Sequence, residues 1–283
     1  MNKILSLILV ILLAGFAAAQ AAQTQPAEKT PEQLAQERQQ AEMALIQQIQ
    51  ANANNPQAQA LAADEFVQKF ADSPNIAFVR FQATLANQRL NNFDKMVEHG
   101  NAFMALVPNH PVIPIILANG YAENNKPEEA EALATKARTM LNAMTKPEGV
   151  PQEQWDAQIG ELKGTLSSTL GYVHLQKAGK LDKKDNARET ELNLAVDEFK
   201  NAVAANKMDD ISWYRVGITY ALLNKVDECL DAYAKAIAIN QSVAERAKTD
   251  MGKVLDTLKE SNQLGDRTLD GLVAKAKQDL GIA

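Results

Sequence analysis

The chain has 283 residues, 46% of them hydrophobic and 23% charged, enough apolar material for a large core, which excludes wholesale disorder. Its net charge of −6 repels nucleic acid and anionic lipid at long range, so neither is an expected partner. Cys229 is the only cysteine, so no internal disulfide can form and small disulfide-stapled scaffolds are excluded.

Lys3 precedes an apolar run from Ile4 to Leu13, followed by Gly15 and the small residues from Ala17 to Ala22. This order reads as a secretory signal peptide over residues 1–22, with cleavage after Ala19, Ala21 or Ala22. The run is too short for a membrane span, which takes roughly 20 apolar residues. Leu12-Leu13-Ala14-Gly15 looks like the start of a bacterial lipoprotein signal, but Phe16 follows it and has no thiol to acylate, so no lipid anchor is expected. Loss of Lys3 with the signal takes the net charge from −6 to −7. Residues 23–30 are rich in Ala and Gln and read as a flexible tether. Thr30-Pro31-Glu32-Gln33 is a helix-start box opening a helix through Ala53.

From there the composition favours helix: Ala, Leu, Ile, Val, Gln and Lys dominate, and aromatics are 5%. A fixed period runs through it. Pro74 and Pro108 lie 34 residues apart, each after an apolar helical stretch, and Ala62, Met96 and Ala130 repeat the same step. Asn91 and Asn125 share it too, each just ahead of a new helix start at Phe93-Asp94-Lys95 and Pro127-Glu128-Glu129. Residues 43–76, 77–110 and 111–144 thus form a first block of three units, within 31–144. Pro147, Gly149 and Pro151 mark 145–154 as a linker.

The second block covers 155–243. Ala195, Phe199 and Ala202 map onto Cys229, Tyr233 and Ala236 at the same spacing of 34, with Asp197 on Asp231, Ala204 on Ala238 and Asn206 on Asn240. Its first unit, about 164–209, carries about 12 extra residues around Lys177–Glu189. Those residues mix both charge signs, and read as an exposed lobe touching a partner or, more plainly, as a solvated loop. The second unit is 210–243. Residues 244–283 give two more amphipathic helices, suited to a solubilising cap.

Each unit reads as two helices joined by a polar turn. Trp213, Val216-Gly217, Tyr220, Cys229, Tyr233 and Ala236 resemble the tetratricopeptide repeat pattern, with Gln241 in place of its closing proline. Phe66 and Pro74, Pro108, then Leu117, Tyr121, Ala130 and Ala137, and Leu170-Gly171, continue the register more weakly over most of the mature chain. The resemblance implies an all-α fold, a right-handed superhelical solenoid of antiparallel helix pairs with about five repeats plus C-terminal capping helices. It also implies a concave surface lined by the first helix of each unit, with Phe78, Phe81, Leu85, Ile115, Asn119, Tyr172, Tyr214 and Ile218 on or near it. The same side chains equally suit ordinary inter-helix core, or a face covered by the N-terminal helix. Some relatives grip a peptide's terminal carboxylate on this surface with Lys and Asn; here only Asn119, Arg89 and Arg215 offer themselves.

Chemistry-bearing patterns are sparse. His99, His110 and His174 stand at no metal-ligand spacing, and no phosphate-cradling loop or nucleophile elbow is present. Carboxylates such as Glu128, Glu129, Asp209 and Asp210 sit at helix starts, where they complement the dipole. Cys229 takes a packing position where a small apolar group is required. No catalytic residue, metal or cofactor is expected. The expectation is an exported, periplasmic or secreted scaffold that binds a protein or peptide partner of an envelope assembly on its concave face. The alternative is a holdase for unfolded exported proteins.

Overall fold

The computed structural model describes residues 29–282. The expected signal peptide, and the tether as far as residue 28, lie outside the described residues. Among those residues every regular element is an α-helix, as expected of an all-α chain: α1 (Pro31–Ala51), α2 (Pro56–Lys69), α3 (Ile76–Arg89), α4 (Phe93–Leu106), α5 (Val112–Glu123), α6 (Pro127–Ala143), α7 (Gln152–Lys180), α8 (Asn186–Ala205), α9 (Asp210–Leu222), α10 (Val226–Ile239), α11 (Ala244–Glu260) and α12 (Leu269–Leu280). None of these helices is long and apolar enough to cross a membrane.

The starts are chemically marked. Thr30 and Gln33 form a reciprocal capping box at α1, whose last residue is Ala51. Asn55, Asn92, Asp185, Asp209 and Thr268 each accept a backbone N–H through the side chain at the start of α2, α4, α8, α9 and α12. Pro56 and Pro127 occupy first-turn positions, where a missing N–H is harmless.

The turns inside the hairpins repeat one another in detail. Asn91, Asn125 and Asn224 adopt left-handed backbone, with φ of 53°, 56° and 56°. Immediately after them, the amides of Asn92, Lys126 and Lys225 each donate to the carbonyl five residues back, on Asn87, Tyr121 and Tyr220, at 2.9 Å. This closes three helices in the same way, and asparagine tolerates the left-handed conformation better than other non-glycine residues do.

Helices pack in sequential pairs: α1 with α2, α3 with α4, α5 with α6, α7 with α8, and α9 with α10. The first helices also touch in order, α1 on α3, α3 on α5, α5 on α7 and α7 on α9, and each second helix lies against the next first helix. The core is accordingly a series of local clusters. Ile49, Phe66 and Val79 join α1 to α3, while Met96, Phe103, Ile113 and Leu117 join α4 to α5. Tyr214, Tyr233, Met251 and Leu280 tie α9, α10, α11 and α12 together. A hairpin buries its apolar face only against a neighbour, which is why the clusters straddle successive pairs. Packing also runs on across the linker, because Ile115, Ala134 and Leu141 share one cluster with Leu166 and Leu170.

The extra residues around Lys177–Glu189 do not form a lobe or a long loop. They lengthen the hairpin, α7 running to 29 residues and α8 to 20, and leave only 181–185 as a connection. Ala, Lys, Leu and Glu are strong helix formers, and the lengthened helices find partners. Lys177 Nζ meets Glu131 at 2.6 Å, Lys180 meets Glu128 at 3.3 Å, and His174 Nδ1 lies 2.7 Å from Glu191.

Candidate functional site

The eight residues expected on the lining fall into three groups. Phe78, Phe81 and Leu85 are half-buried on α3. Phe78 packs on the cluster of α1 to α3, and Leu85 on that of α3 to α6. Phe81 meets Phe103 and His110, each with ring centroids 5.5 Å apart, the His110 contact edge-on. This aromatic knot joins α3, α4 and the turn before α5, and burial lowers the pKa of His110.

Two residues belong to the core and not to a free face. Ile115 is buried within the cluster of α5 to α7. Tyr214 is buried against Tyr233, and its hydroxyl donates to Asp250 Oδ2 of α11 at 2.8 Å. Burial, with Asp250 adding to it, pushes its pKa up to about 12. The repeat resemblance names both Tyr214 and its neighbour Arg215; one step along a helix turns a side chain by about 100°, and here it sends Tyr214 into the core beside Asp250 and Arg215 over the Tyr172 ring.

The third group comes together. Asn119 of α5, Tyr172 of α7 and Ile218 of α9 are half-buried on three successive first helices. Asn119 Nδ2 donates to Glu123 Oε1 at 3.1 Å, and its Oδ1 accepts from Thr169 Oγ1 at 3.4 Å. The guanidinium of Arg215 lies over the Tyr172 ring, 4.1 Å from its centroid. Ser168 and Ser212 share a hydrogen bond of 2.9 Å between α7 and α9. Gln176 Nε2 donates to the Ala122 carbonyl at 2.8 Å, while its buried Oε1 meets no donor among the described residues.

Arg215 is the half-buried member of this group whose charge has no partner among the described residues. Burial lowers its pKa, opposed by Tyr172, Glu123 and Asp209. Neither carboxylate is committed to it: Asp209 accepts from the Ser212 N–H and hydroxyl at 3.0 and 2.6 Å, and Glu123 accepts from Asn119. Among the described residues no carboxylate lies within ion-pair distance of Arg215. A desolvated guanidinium of this kind is a strong site for an incoming anion. Arg89 is engaged differently, since it donates to the Ala53 carbonyl and to Gln59 and so ties α3 to the turn between α1 and α2.

One polar cluster carried no sequence signal. His99 is fully buried, with Nε2 2.9 Å from Asp64 Oδ1 of α2 and Nδ1 3.0 Å from Arg80 of α3. Both ring nitrogens are engaged, which makes the imidazole a three-helix tie and leaves it no free nitrogen for catalysis. Cys229 is buried, and burial pushes its thiol up to about 12. Among the described residues no group of three or more His, Cys, Asp or Glu gathers closely enough to hold a metal.

No family model matches the chain, and none of the curated proteins matches it.

Proposed function

We propose that this chain is an exported helical-repeat protein of the tetratricopeptide kind, whose first helices form a concave face that docks a peptide or protein partner. In this reading it is a scaffold without catalytic activity, nucleic-acid partner or lipid anchor. The single observation that carries the binding site is Arg215, stacked on Tyr172 with no carboxylate of its own. The partner would bring an acidic side chain or a terminal carboxylate to Arg215, flanked by Asn119 and by the apolar side of Ile218. Support for the repeat architecture comes from the recurring left-handed asparagines and from matching contacts in which Gly171 lies against Phe199 and Gly217 against Tyr233.

The test is a crosslinking pull-down from the exported fraction of the host, comparing the natural chain with Arg215→Glu, the fold of each checked by circular dichroism. One partner enriched with the natural chain and lost with the folded variant supports the proposal. A partner retained by the variant moves the site elsewhere. A spread of unfolded clients, insensitive to the substitution, replaces the scaffold with a holdase.

A further inference from the structure

The C-terminal turns of α3 and α5 border a notch of about 50 Å³, room for a few water-sized groups. Its floor is apolar and closed. Phe93 and Met96 of α4 line it, and Gly120 lets Met96 approach until an added Cβ would lie 2.2 Å from the methionine Cε.

The polar lining offers open acceptors. Asn87 is only 2% exposed, yet it lines the notch. Its Nδ2 donates to the Ala83 carbonyl at 2.9 Å, whereas its Oδ1 accepts nothing among the described residues and is not enclosed by them. Glu123 is exposed on the other wall, with Oε1 held by Asn119 at 3.1 Å. Among the described residues no cation lies within ion-pair distance of Glu123.

The wider field has the same sign. Two helices, α3 and α5, present their C-termini to the notch, and the negative ends of their dipoles favour a cation. The first turn of α4 meets it by the opposite end, but carries its own offset in the Asn92 cap and Asp94. No Lys, Arg or His lines the notch. Arg89 is tied to Ala53 and Gln59, and Lys126 sits over the rings of Phe93 and Tyr121.

We infer that this notch takes the ammonium group of a lysine side chain on the docked partner, which deepens the scaffold reading and, for the partner's identity, rests on it. Asn87 Oδ1 and the free Glu123 oxygen accept from the ammonium, while the last methylenes of the lysine cover Met96 and Phe93. Three donors on a compact head suit a notch of this size, which a planar guanidinium overfills. A carboxylate or phosphate would meet acceptors of its own sign. Glu123 also lies near enough to Arg215 to raise its pKa without an ion pair. One short segment can therefore set a lysine here and an acidic group on Arg215.

The experiment needs neither the partner nor Arg215. The full chain, labelled with nitrogen-15, is titrated with Nα-acetyl-L-lysine amide and with the uncharged Nα-acetyl-L-norleucine amide while NMR follows the Gly120 amide and the Asn119 side-chain amide. The lysine derivative should shift both signals to saturation in the millimolar range, and the norleucine derivative should not. Glu123→Gln, at an exposed position, and Asn87→Leu, close in size, should each weaken binding by about threefold or more at an unchanged thermal melt. No saturable shift up to about 50 mM, an equal response to the norleucine derivative, or undiminished affinity in both variants would overturn the inference. Partner capture through Arg215 without a lysine response overturns the notch alone; a lysine response without such capture keeps the notch and removes the partner from it.

Discussion

Asp64 and His99 stand 35 positions apart in the chain and meet at 2.9 Å, the carboxylate of α2 accepting from the buried imidazole of α4. Arg80 has only donors, so its contact at 3.0 Å makes His99 Nδ1 an acceptor and fixes the neutral tautomer with hydrogen on Nε2. Protonation would set a second N–H against the guanidinium. Lys95 and Glu98 complete the cluster, Lys95 lying 3.6 Å from Asp64 and 3.1 Å from Glu98, and Arg80 3.7 Å from Glu98.

Stability should therefore fall in mildly acid solution. Burial lowers the His99 pKa below the ordinary 6.5, and Asp64 only partly opposes it. The unfolded chain then binds more protons than the folded one as pH drops through 6.5, and the folded state loses stability until the pH lies below the folded pKa, at a rate of up to about 1.4 kcal/mol per pH unit per proton. Burial shifts His110 the same way. The carboxylates with lowered pKa, Glu42, Asp72, Glu98, Glu128 and Asp250, act only nearer their own range around 4. Urea midpoints measured from pH 8 to pH 5 should decline below 6.5, and His99→Gln should flatten that decline. A slope unchanged by the substitution would remove His99 from the account.

Glycines in α7 and α9 should respond to alanine with opposite signs. At Gly217 an added Cβ would lie 2.4 Å from the Tyr233 ring, and at Gly171 2.6 Å from the Phe199 ring. Gly217→Ala and Gly171→Ala should each cost about 1–3 kcal/mol, since the rings are fully packed. Gly160→Ala meets open space and should stabilise α7 by about 0.5–1 kcal/mol through helix propensity. Denaturant unfolding of the three variants settles the ranking.

Tyr214 should behave as a structural strut. Tyr214→Phe removes the 2.8 Å bond to Asp250 and should cost about 1.5 kcal/mol, the low end for a bond to a charged group, because Lys253 still holds Asp250 Oδ1 at 2.8 Å. Its effect on partner capture should be nil, in contrast to Arg215→Glu. Loss of capture with Tyr214→Phe at full helicity would place Tyr214 in the binding face.

These contrasts locate what the amino-acid order reveals and what it hides. The hairpins were legible because their signals are local: Thr30 and Gln33 cap within one turn, and Asn91 and Asn125 end helices at a constant step. The lengthened hairpin was not, because a mixed-charge segment suits a loop until Glu128 and Glu131 of another unit are beside Lys180 and Lys177. In the candidate site, Asn119, Tyr172 and Arg215 were named from the repeat resemblance, which does not resolve helix phase and so also put the buried Tyr214 on the lining. His99 depends on partners from two other helices, which no motif records.

The hairpin extension makes the last prediction. Lys183 and Lys184 lie in the short connection, whereas Lys177 is inside α7 and Arg188 is inside α8. A protease needs several residues in extended form, and a helical segment presents them only by local unfolding. Limited trypsin digestion under native conditions should therefore cut this region first at Lys183 or Lys184, with Lys177 and Arg188 protected. Replacing Glu131 by alanine removes the 2.6 Å partner of Lys177 and should leave that order intact, because the extension is held along the whole α7 and α8 contact and not by one exposed pair. Early cleavage at Lys177 or Arg188 in the natural chain would show that the extra residues form a loop in solution.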